Sequence, residues 1–557
     1  MKDELEQAIV EAVKELFDID SKIELTRPEE QFGDYATNVA LQLSKQLQKN
    51  PREIAESLAA KLRETLREQI SEISVAGPGF LNIKLNDQSV LKAIGIEPAK
   101  SLAGQTVVAE YSDPNPFKVL HAGHLYTSVV GDAIANLLEQ AGAKVHRVNF
   151  GGDVGMHVGK TMWAILQELD GEHFDKLSGV PEDNRLDWVS QRYIEGNTAY
   201  EENEAAKSEI AAINKRVYEV HDANDKSSPF AKIYWRCRKW SYDGFGELYR
   251  LLEISPFEKY YPESQTAPIG LKTVREHLGD VYQESQGAVV FDGEKHGLHT
   301  RVFINSEGLP TYETKDVGLI MLKYDDYHFD RSVVITANEI DEYMKVVLKS
   351  VEQFRPELVK ATTHLSHGMV KLAGGVKMSS RKGNIIRSSD VIEAAAAANK
   401  AQTGQDNHQT VLGAIKYAFL KQRLGGDIVY DPKESVSLEG NSGPYLQYAY
   451  ARAQAILRKV EPPTDIKSDS ELEAGERSLV RKISEYTEVV DKAVDELMPH
   501  HVATYLYELA QIFNRFYENN RVIDNEREAI RLGLVNKYAN TLKAGLGLLG
   551  IQAPDKM

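Results

Sequence analysis

Between Thr106 and Phe150 the chain alternates strand and helix. "TVVAEYS" reads as a strand, "HAGHLYTSVVGDAIANLLEQAG" as a helix ending at Gly142, and "KVHRVNF" as a second strand. A strand, a helix and a strand in that order form a unit whose strands run parallel, so this stretch commits the chain to an α/β architecture with a parallel sheet. The pattern recurs at "SVVITANEIDEYMKVVLKSVEQF", and "THLSHGMVKL" reads as a further strand entering the loop "AGGVKMSSRKGN". In such sheets ligands collect at the C-terminal ends of strands, where helix N-termini present free N–H groups and a positive dipole. The "HAGH" at residues 121–124 sits at that junction.

At 557 residues the chain exceeds what one hydrophobic core usually supports, so about three domains are expected. Residues 1–97 form a small α+β block. "NPREIAESLAAKLRETLR" offers Asn50 as helix cap and Pro51 as the first helical residue, and "EISVAGPGFLNIKL" reads as two strands paired around Gly77-Pro78-Gly79. Residues 98–400 carry the parallel sheet, with a charged insertion rich in Trp and Tyr at about 155–300. Residues 401–440 read as a helical connector and 441–557 as an all-α domain. No run approaches the roughly 18 apolar residues of a membrane span, so no membrane association and a cytoplasmic location are expected. Cys237 is the only cysteine, which fits a reducing compartment and leaves no thiolate cluster for structural zinc. The formal charge of −17 argues against indiscriminate binding of polyanions but allows a local basic face.

His121 and His124 lie one helical turn apart and point the same way, so both imidazoles can donate to one anion. Ala122 and Gly123 let a flat nucleotide approach the backbone. The same pair could serve as metal ligands, for which no convincing third partner stands nearby, or as satisfied structural histidines. Some 250 residues later, "VKMSSRKGN" gathers Lys377, Arg381 and Lys382 with Ser379 and Ser380 in a glycine-flanked loop, a composition suited to a triphosphate whose charge changes during reaction.

These two motifs resemble the HIGH and KMSKS signatures of class I aminoacyl-tRNA synthetases. "FGDYATNVALQLSKQLQKNPREIA", "VAGPGFLNIKL", "EYSDPNPFKVLHAGH", "YETKDVG", "EGNSGPYLQYAYARAQAIL" and "LLGIQAPDKM" extend the resemblance, along essentially the whole chain, to the arginyl family of that class. It implies a Rossmann-like catalytic domain, an N-terminal tRNA-binding domain and a C-terminal helical anticodon-binding domain. The reaction implied is activation of arginine with ATP to arginyl-adenylate, followed by transfer to the terminal ribose of tRNA(Arg), with Mg²⁺ arriving on ATP. A monomer is expected. A carboxylate pocket could also hold lysine's ammonium, but the N-terminal blocks point to arginine, and the presence of both ATP motifs argues against a non-catalytic tRNA-binding relative.

The resemblance assigns ATP binding to His121, Gly123, His124, Lys377, Met378, Ser379 and Ser380, and catalysis to His121, His124 and Lys377; Arg381, by the composition of its loop, and Lys118, by its place three residues before His121, are the further expected catalytic cations. It assigns the arginine pocket to Glu110, Ser112, Asn115, His121, Tyr312, Asp316, Asn338 and Glu339, with Asn115 holding the amino group. A guanidinium is planar, charged and forked, and carboxylates such as Glu110 and Asp316 can accept its paired N–H bonds. Some positions depart from the family. "TANEIDEY" offers Asn338 or Glu339 where many relatives carry glutamine, Tyr126 replaces an arginine, and Ser380 stands in place of the second lysine of KMSKS. Residues 441–557 hold 15 Lys and Arg against 17 Asp and Glu, a net −2 that a tRNA can tolerate. There Asn514, Arg515, Asn519, Asn520 and Arg521 are the candidates for RNA contact, while most neighbouring aromatics at helical spacing are expected in the core.

Overall fold

The computed structural model describes residues 1–373, 386–463, 466 and 471–557. In the N-terminal block, Asn50 accepts a hydrogen bond from the Arg52 N–H at 2.9 Å and Pro51 starts the helix Pro51–Thr65. That helix packs between the helix Lys2–Phe17 and an antiparallel sheet of β1 (Tyr35–Thr37), β2 (Ile70–Ala76) and β3 (Phe80–Leu85), ordered β1-β3-β2. The β2–β3 turn needs glycine: Gly79 has φ +142°, and a Cβ there would lie 2.9 Å from the Pro51 carbonyl oxygen.

The central sheet joins β4 (Thr106–Glu110), β5 (Lys144–Gly151), β6 (Lys259–Pro262), β10 (Arg331–Ala337) and β11 (Thr362–His367) in the order β11-β10-β4-β5-β6, all parallel. Val107, Val108, Ala109, Val333, Val334 and Ile335 are buried, as the middle strands of a sheet covered on both faces must be. The chain steps from β4 to β5 on one side and from β10 to β11 on the other, so strand order reverses between β4 and β10. In parallel sheets such a reversal places the ligand crevice at the C-terminal ends of these strands.

Two features depart from the sequence reading. The stretch 155–300 contains β6, an edge strand of the central sheet, followed by an antiparallel sheet of β7 (Gln283–Ser285), β8 (Ala288–Phe291) and β9 (Arg301–Ile304). "THLSHGMVKL" is two strands: β11 stays in the central sheet, while β12 (Val370–Leu372) leaves it to pair with β13 (Ile428–Tyr430). The break falls at Gly368, where a Cβ would lie 2.3 Å from the Gly426 backbone, a contact only glycine permits.

The C-terminal helices Gly443–Leu457, Ala474–Ser484, Tyr486–Glu496, His500–Asn519 and Glu528–Leu548 form a bundle with Phe513 stacked on Tyr538 at 3.7 Å between ring centroids. The N-terminal block docks on it directly. Arg477 reaches the buried Asp34 at 2.6 Å, and Glu488 accepts from Arg27 at 2.6 Å and from the Tyr35 hydroxyl at 2.7 Å. Ends of the chain more than 400 residues apart are thus fastened by partly buried, geometrically tight pairs. No described helix is long and apolar enough to cross a membrane.

Candidate active site

The helix Ala122–Gln140 begins at the β4 end of the crevice, and its first turn fixes the state of both histidines. His121 Nδ1 accepts the Gly123 N–H at 3.1 Å, and His124 Nδ1 accepts the His121 N–H at 3.3 Å. Both backbone donors would otherwise lack partners, so the two imidazoles cap the helix. With each Nδ1 an acceptor, each proton sits on Nε2. The rings stack at 3.9 Å between centroids. Burial and the nearby Lys118 charge push His121 down to about 4, and burial and its partner ring hold His124 well below the usual imidazole value. Near neutral pH the pair is uncharged and presents two Nε2–H donors.

Gly123 is held to glycine by this cap, since a Cβ would lie 2.9 Å from His121 Nδ1 and Cε1. Gly123→Ala is therefore expected to displace the ring and lower kcat/KM by roughly 10- to 100-fold, within the range of one lost preorganised contact. Alanine's better helix propensity opposes any loss of stability. A melting temperature that stays level while activity falls separates a displaced donor from a misfolded helix.

Lys118 lies half-buried in the loop before this helix, with Nζ 5.8 Å from the Tyr193 ring centroid and its backbone N–H donating to the Asn115 carbonyl at 3.3 Å. Among the described residues it has no carboxylate within 4 Å, and burial holds its pKa below the usual lysine value. Lys377, Met378, Ser379, Ser380 and Arg381 lie outside the described residues. The chain that follows them is tied to the first motif: Ile386 accepts from the Ala122 N–H at 2.9 Å, and the Ser388 hydroxyl donates to the His121 carbonyl at 2.9 Å.

Across the crevice the carboxylates gather. Glu110, at the end of β4, is buried and paired with Lys323 of the helix Tyr312–Tyr327; Lys323 also donates to the Ser332 hydroxyl at 3.3 Å. Asp316, from the same helix, is buried and accepts the Tyr343 hydroxyl. Asp113 accepts the Phe150 N–H at 2.7 Å. Burial, with the Glu110 charge next in weight, pushes both Asp113 and Asp316 well above the carboxylate range. Three carboxyl groups thus crowd around Lys323, and a cationic guest among them would favour their ionised forms.

The other candidates fall in different settings. Asn115 Oδ1 accepts the Gly152 N–H at 2.7 Å, so the amide is already oriented at the ends of β4 and β5. Ser112, at φ +76°, bonds through its hydroxyl to Ser128 at 2.7 Å and Tyr249 at 2.8 Å. Tyr312 is exposed at the start of its helix, and Asn338 and Glu339 are exposed in the turn that leaves β10. Tyr126 is fully buried against His367 and Phe419, so its ring fills the core under the motif. Asp113, Tyr343 and the buried Glu263–Lys315 pair (2.5 Å) were not singled out from sequence.

In the C-terminal bundle Asn514 is tied between Arg452 (3.2 Å) and the Tyr445 hydroxyl (2.8 Å), and Asn520 bonds back to the Phe516 carbonyl. Arg515, Asn519 and Arg521 are exposed. So are the rings of Tyr448 and Tyr517, with the Arg452 guanidinium 5.1 and 5.9 Å from their centroids.

Comparison with known proteins gives a consistent picture along the chain. Residues 88–430 match the model of the class I (R) tRNA synthetase catalytic domain, residues 1–85 that of the arginyl tRNA synthetase N-terminal domain, and residues 446–557 that of the DALR anticodon binding domain. An arginine–tRNA ligase of Phocaeicola vulgatus is 31% identical over 100% of both chains, and one of Porphyromonas gingivalis is 29% identical over 99% of each. Among solved structures, Thermus thermophilus arginyl-tRNA synthetase superposes with a TM-score of 0.80 at 25% identity over 100% of both chains. The Plasmodium falciparum enzyme shares the fold, with a TM-score of 0.80 at 22% identity over 100% of this chain and 99% of its own. With a matching family model on each of its three parts and relatives aligned end to end, the chain belongs to the arginyl-tRNA synthetase family of class I tRNA synthetases.

Proposed function

We propose that in this arginine–tRNA ligase the acidic pocket holds the guanidinium of arginine while the histidine pair and Lys118 hold the phosphates of ATP. The observation that carries the reading is the clustering of acidic groups in the pocket: Glu110, Asp113 and Asp316 gather around Lys323. A bound guanidinium supplies paired N–H donors and a charge that does not titrate near neutral pH, which matches what these carboxylates lack. Tyr312, Asn338 and Glu339 line the exposed rim over the same helix and strand ends.

In the first step the arginine carboxylate oxygen attacks the α-phosphorus of ATP, and pyrophosphate leaves. The two Nε2–H donors of His121 and His124 and the ammonium of Lys118 stabilise charge growing on the phosphates, which is where preorganised groups gain most. Lys377, Met378, Ser379, Ser380 and Arg381 are assigned to the same phosphates by the motif alone. Mg²⁺ belongs to the substrate, bound to the phosphates of ATP. In the second step a hydroxyl of the terminal ribose attacks the arginyl carbonyl carbon and AMP leaves, with no covalent protein intermediate. Arg515, Asn519 and Arg521 with the exposed rings of Tyr448 and Tyr517 are the surface proposed to meet the anticodon, since aromatic faces stack on bases irrespective of their identity.

Pyrophosphate exchange with each amino acid, with and without tRNA(Arg), tests the reading. Exchange is expected with arginine alone among the amino acids, and only in the presence of tRNA. Exchange with lysine would overturn the pocket assignment, whereas arginine-dependent exchange in RNA-free enzyme would overturn only the tRNA requirement.

A further inference from the structure

The loop between β4 and the motif helix is held in a costly backbone conformation. Ser112, Asp113 and Phe117 have φ +76°, +46° and +65°, all in the left-handed region. None is glycine, and residues with a Cβ keep that conformation only where surrounding contacts over-determine it. The same loop carries Asp113, which joins the acidic cluster, and Lys118, whose charge reaches both motif histidines.

The contacts that hold it come largely from the stretch 155–300. Phe117 is fully buried in a hydrophobic cluster whose other described members all fall in residues 154–240, among them Val158, Met162 and Trp240. Its ring stacks on Tyr234 at 5.4 Å between centroids. Its N–H donates to the Ser241 hydroxyl at 3.1 Å, and the Thr161 hydroxyl lies 3.0 Å from its carbonyl oxygen. The loop thus plugs its most strained bulky residue into the core of the insertion.

Ser112 is held by a chain of hydroxyls. Its Oγ lies 2.8 Å from the Tyr249 hydroxyl and 2.7 Å from Ser128 Oγ; Ser128 Oγ lies 2.7 Å from the His124 carbonyl, and the Asn149 amide donates to the Tyr249 oxygen at 3.3 Å. A hydroxyl carries one proton and a carbonyl only accepts, so every contact is a bond when Ser128 donates to His124, Ser112 to Ser128 and Tyr249 to Ser112. These side chains are all buried. The chain runs from β5 through Tyr249 and the strained serine to the first turn of the motif helix. Ser241 and Tyr249 stand about two turns apart on one helix, Pro229–Leu251.

We propose that Tyr249 and Ser241 are positioning residues: the helix Pro229–Leu251 braces the strained loop, Tyr249 setting the acidic turn through Ser112 and Ser241 setting the approach to Lys118 through Phe117. The insertion then takes part in amino-acid activation without touching the reacting atoms. The proposal rests on the arginine and phosphate assignments made above.

Both residues can be tested by removing a single oxygen. Tyr249→Phe keeps the ring against Phe257, 5.0 Å away between centroids, and Ser241→Ala keeps the helix. In pyrophosphate exchange with tRNA present, Tyr249→Phe is expected to raise the arginine KM about 10-fold with the ATP KM level, the scale of one buried hydrogen bond lost beside a binding group. Ser241→Ala is expected to lower the single-turnover rate of activation about 10-fold, a rate that loss of active enzyme does not move, with both KM values little changed. Adding Ser112→Ala to Tyr249→Phe should cost little more than either alone, since both remove the same bond. A lowered melting temperature with a parental arginine KM in Tyr249→Phe overturns the proposal, as do full additivity with Ser112→Ala and a parental single-turnover rate in Ser241→Ala. If the tyrosine variant does not fold, the serine variant decides alone. Absence of arginine-dependent exchange in the parental enzyme would instead defeat the arginine pocket itself.

Discussion

Asp316→Asn is expected to lower kcat/KM for arginine by about 30- to 1,000-fold, or roughly 2 to 4 kcal/mol, with the ATP KM hardly moved. The substitution keeps an oxygen that can accept the Tyr343 hydroxyl, so local packing survives and only the charge is lost. Stability should move the opposite way. Burial and the charges of Glu110 and Glu263 raise the Asp316 pKa in the folded protein, and a raised carboxyl pKa means that its contribution to stability is lost as pH rises through that value. At neutral pH the asparagine variant is therefore expected to melt no lower than the parent, and higher if the carboxylate is ionised. The same titration links to substrate. Arginine pairs with the ionised form, so the parental arginine KM should rise as pH falls through the Asp316 pKa, and the asparagine variant should lose that part of the dependence. Steady-state kinetics across pH, with a thermal melt of each variant, check all three. Unchanged arginine kinetics with weakened ATP binding would remove Asp316 from the pocket.

How much of this was legible in sequence depended on whether the signal was local. The β4–helix–β5 unit and the Asn50–Pro51 helix start follow from periodicity and cap chemistry within a few residues, and both stand in the structure. β6 did not show itself, because four residues ending in proline at a sheet edge carry no alternation to read. β7 is exposed throughout and has no apolar face that could announce it. The site divides in the same way. That two histidines share one face at a helix start was readable. That each also caps the helix through Nδ1, which assigns its proton to Nε2, required the coordinates. Asp113 lay inside a recognised motif yet drew no attention, since only the positive φ values of Ser112 and Asp113 reveal the turn that carries the aspartate to the acidic cluster while the serine bonds to Ser128 and Tyr249. Asn514 looked like a surface amide on a helix, but its bonds to Arg452 and Tyr445 cross between helices and are invisible to helical spacing.

Lys118→Ala is expected to lower kcat for arginine activation by roughly 10²- to 10³-fold, the scale of removing one preorganised electrostatic contact. The motif supplies the reason: Ser380 stands where the family carries the second lysine of KMSKS, so that segment brings one charge fewer to the phosphates. Lys118 lies three residues before His121 and is close enough for its charge to depress both motif histidines. Burial lowers its own pKa, which marks a partly desolvated ammonium, and among the described residues no carboxylate within 4 Å neutralises it. Such a charge acts more strongly than one in water, and as a point charge it needs no fixed direction of approach. Because the negative charge it meets grows in the transition state, the loss should fall on kcat, with the KM values for arginine and ATP little changed. Adding Ser380→Lys to the alanine variant should restore part of the rate, since the motif assigns that position to the same phosphates. Single-turnover and steady-state exchange in the parent, the single variant and the double variant decide the matter. A parental rate in Lys118→Ala would reduce Lys118 to a loop lysine over the Tyr193 ring, and a double variant no faster than the single would show that the two positions do not share a task.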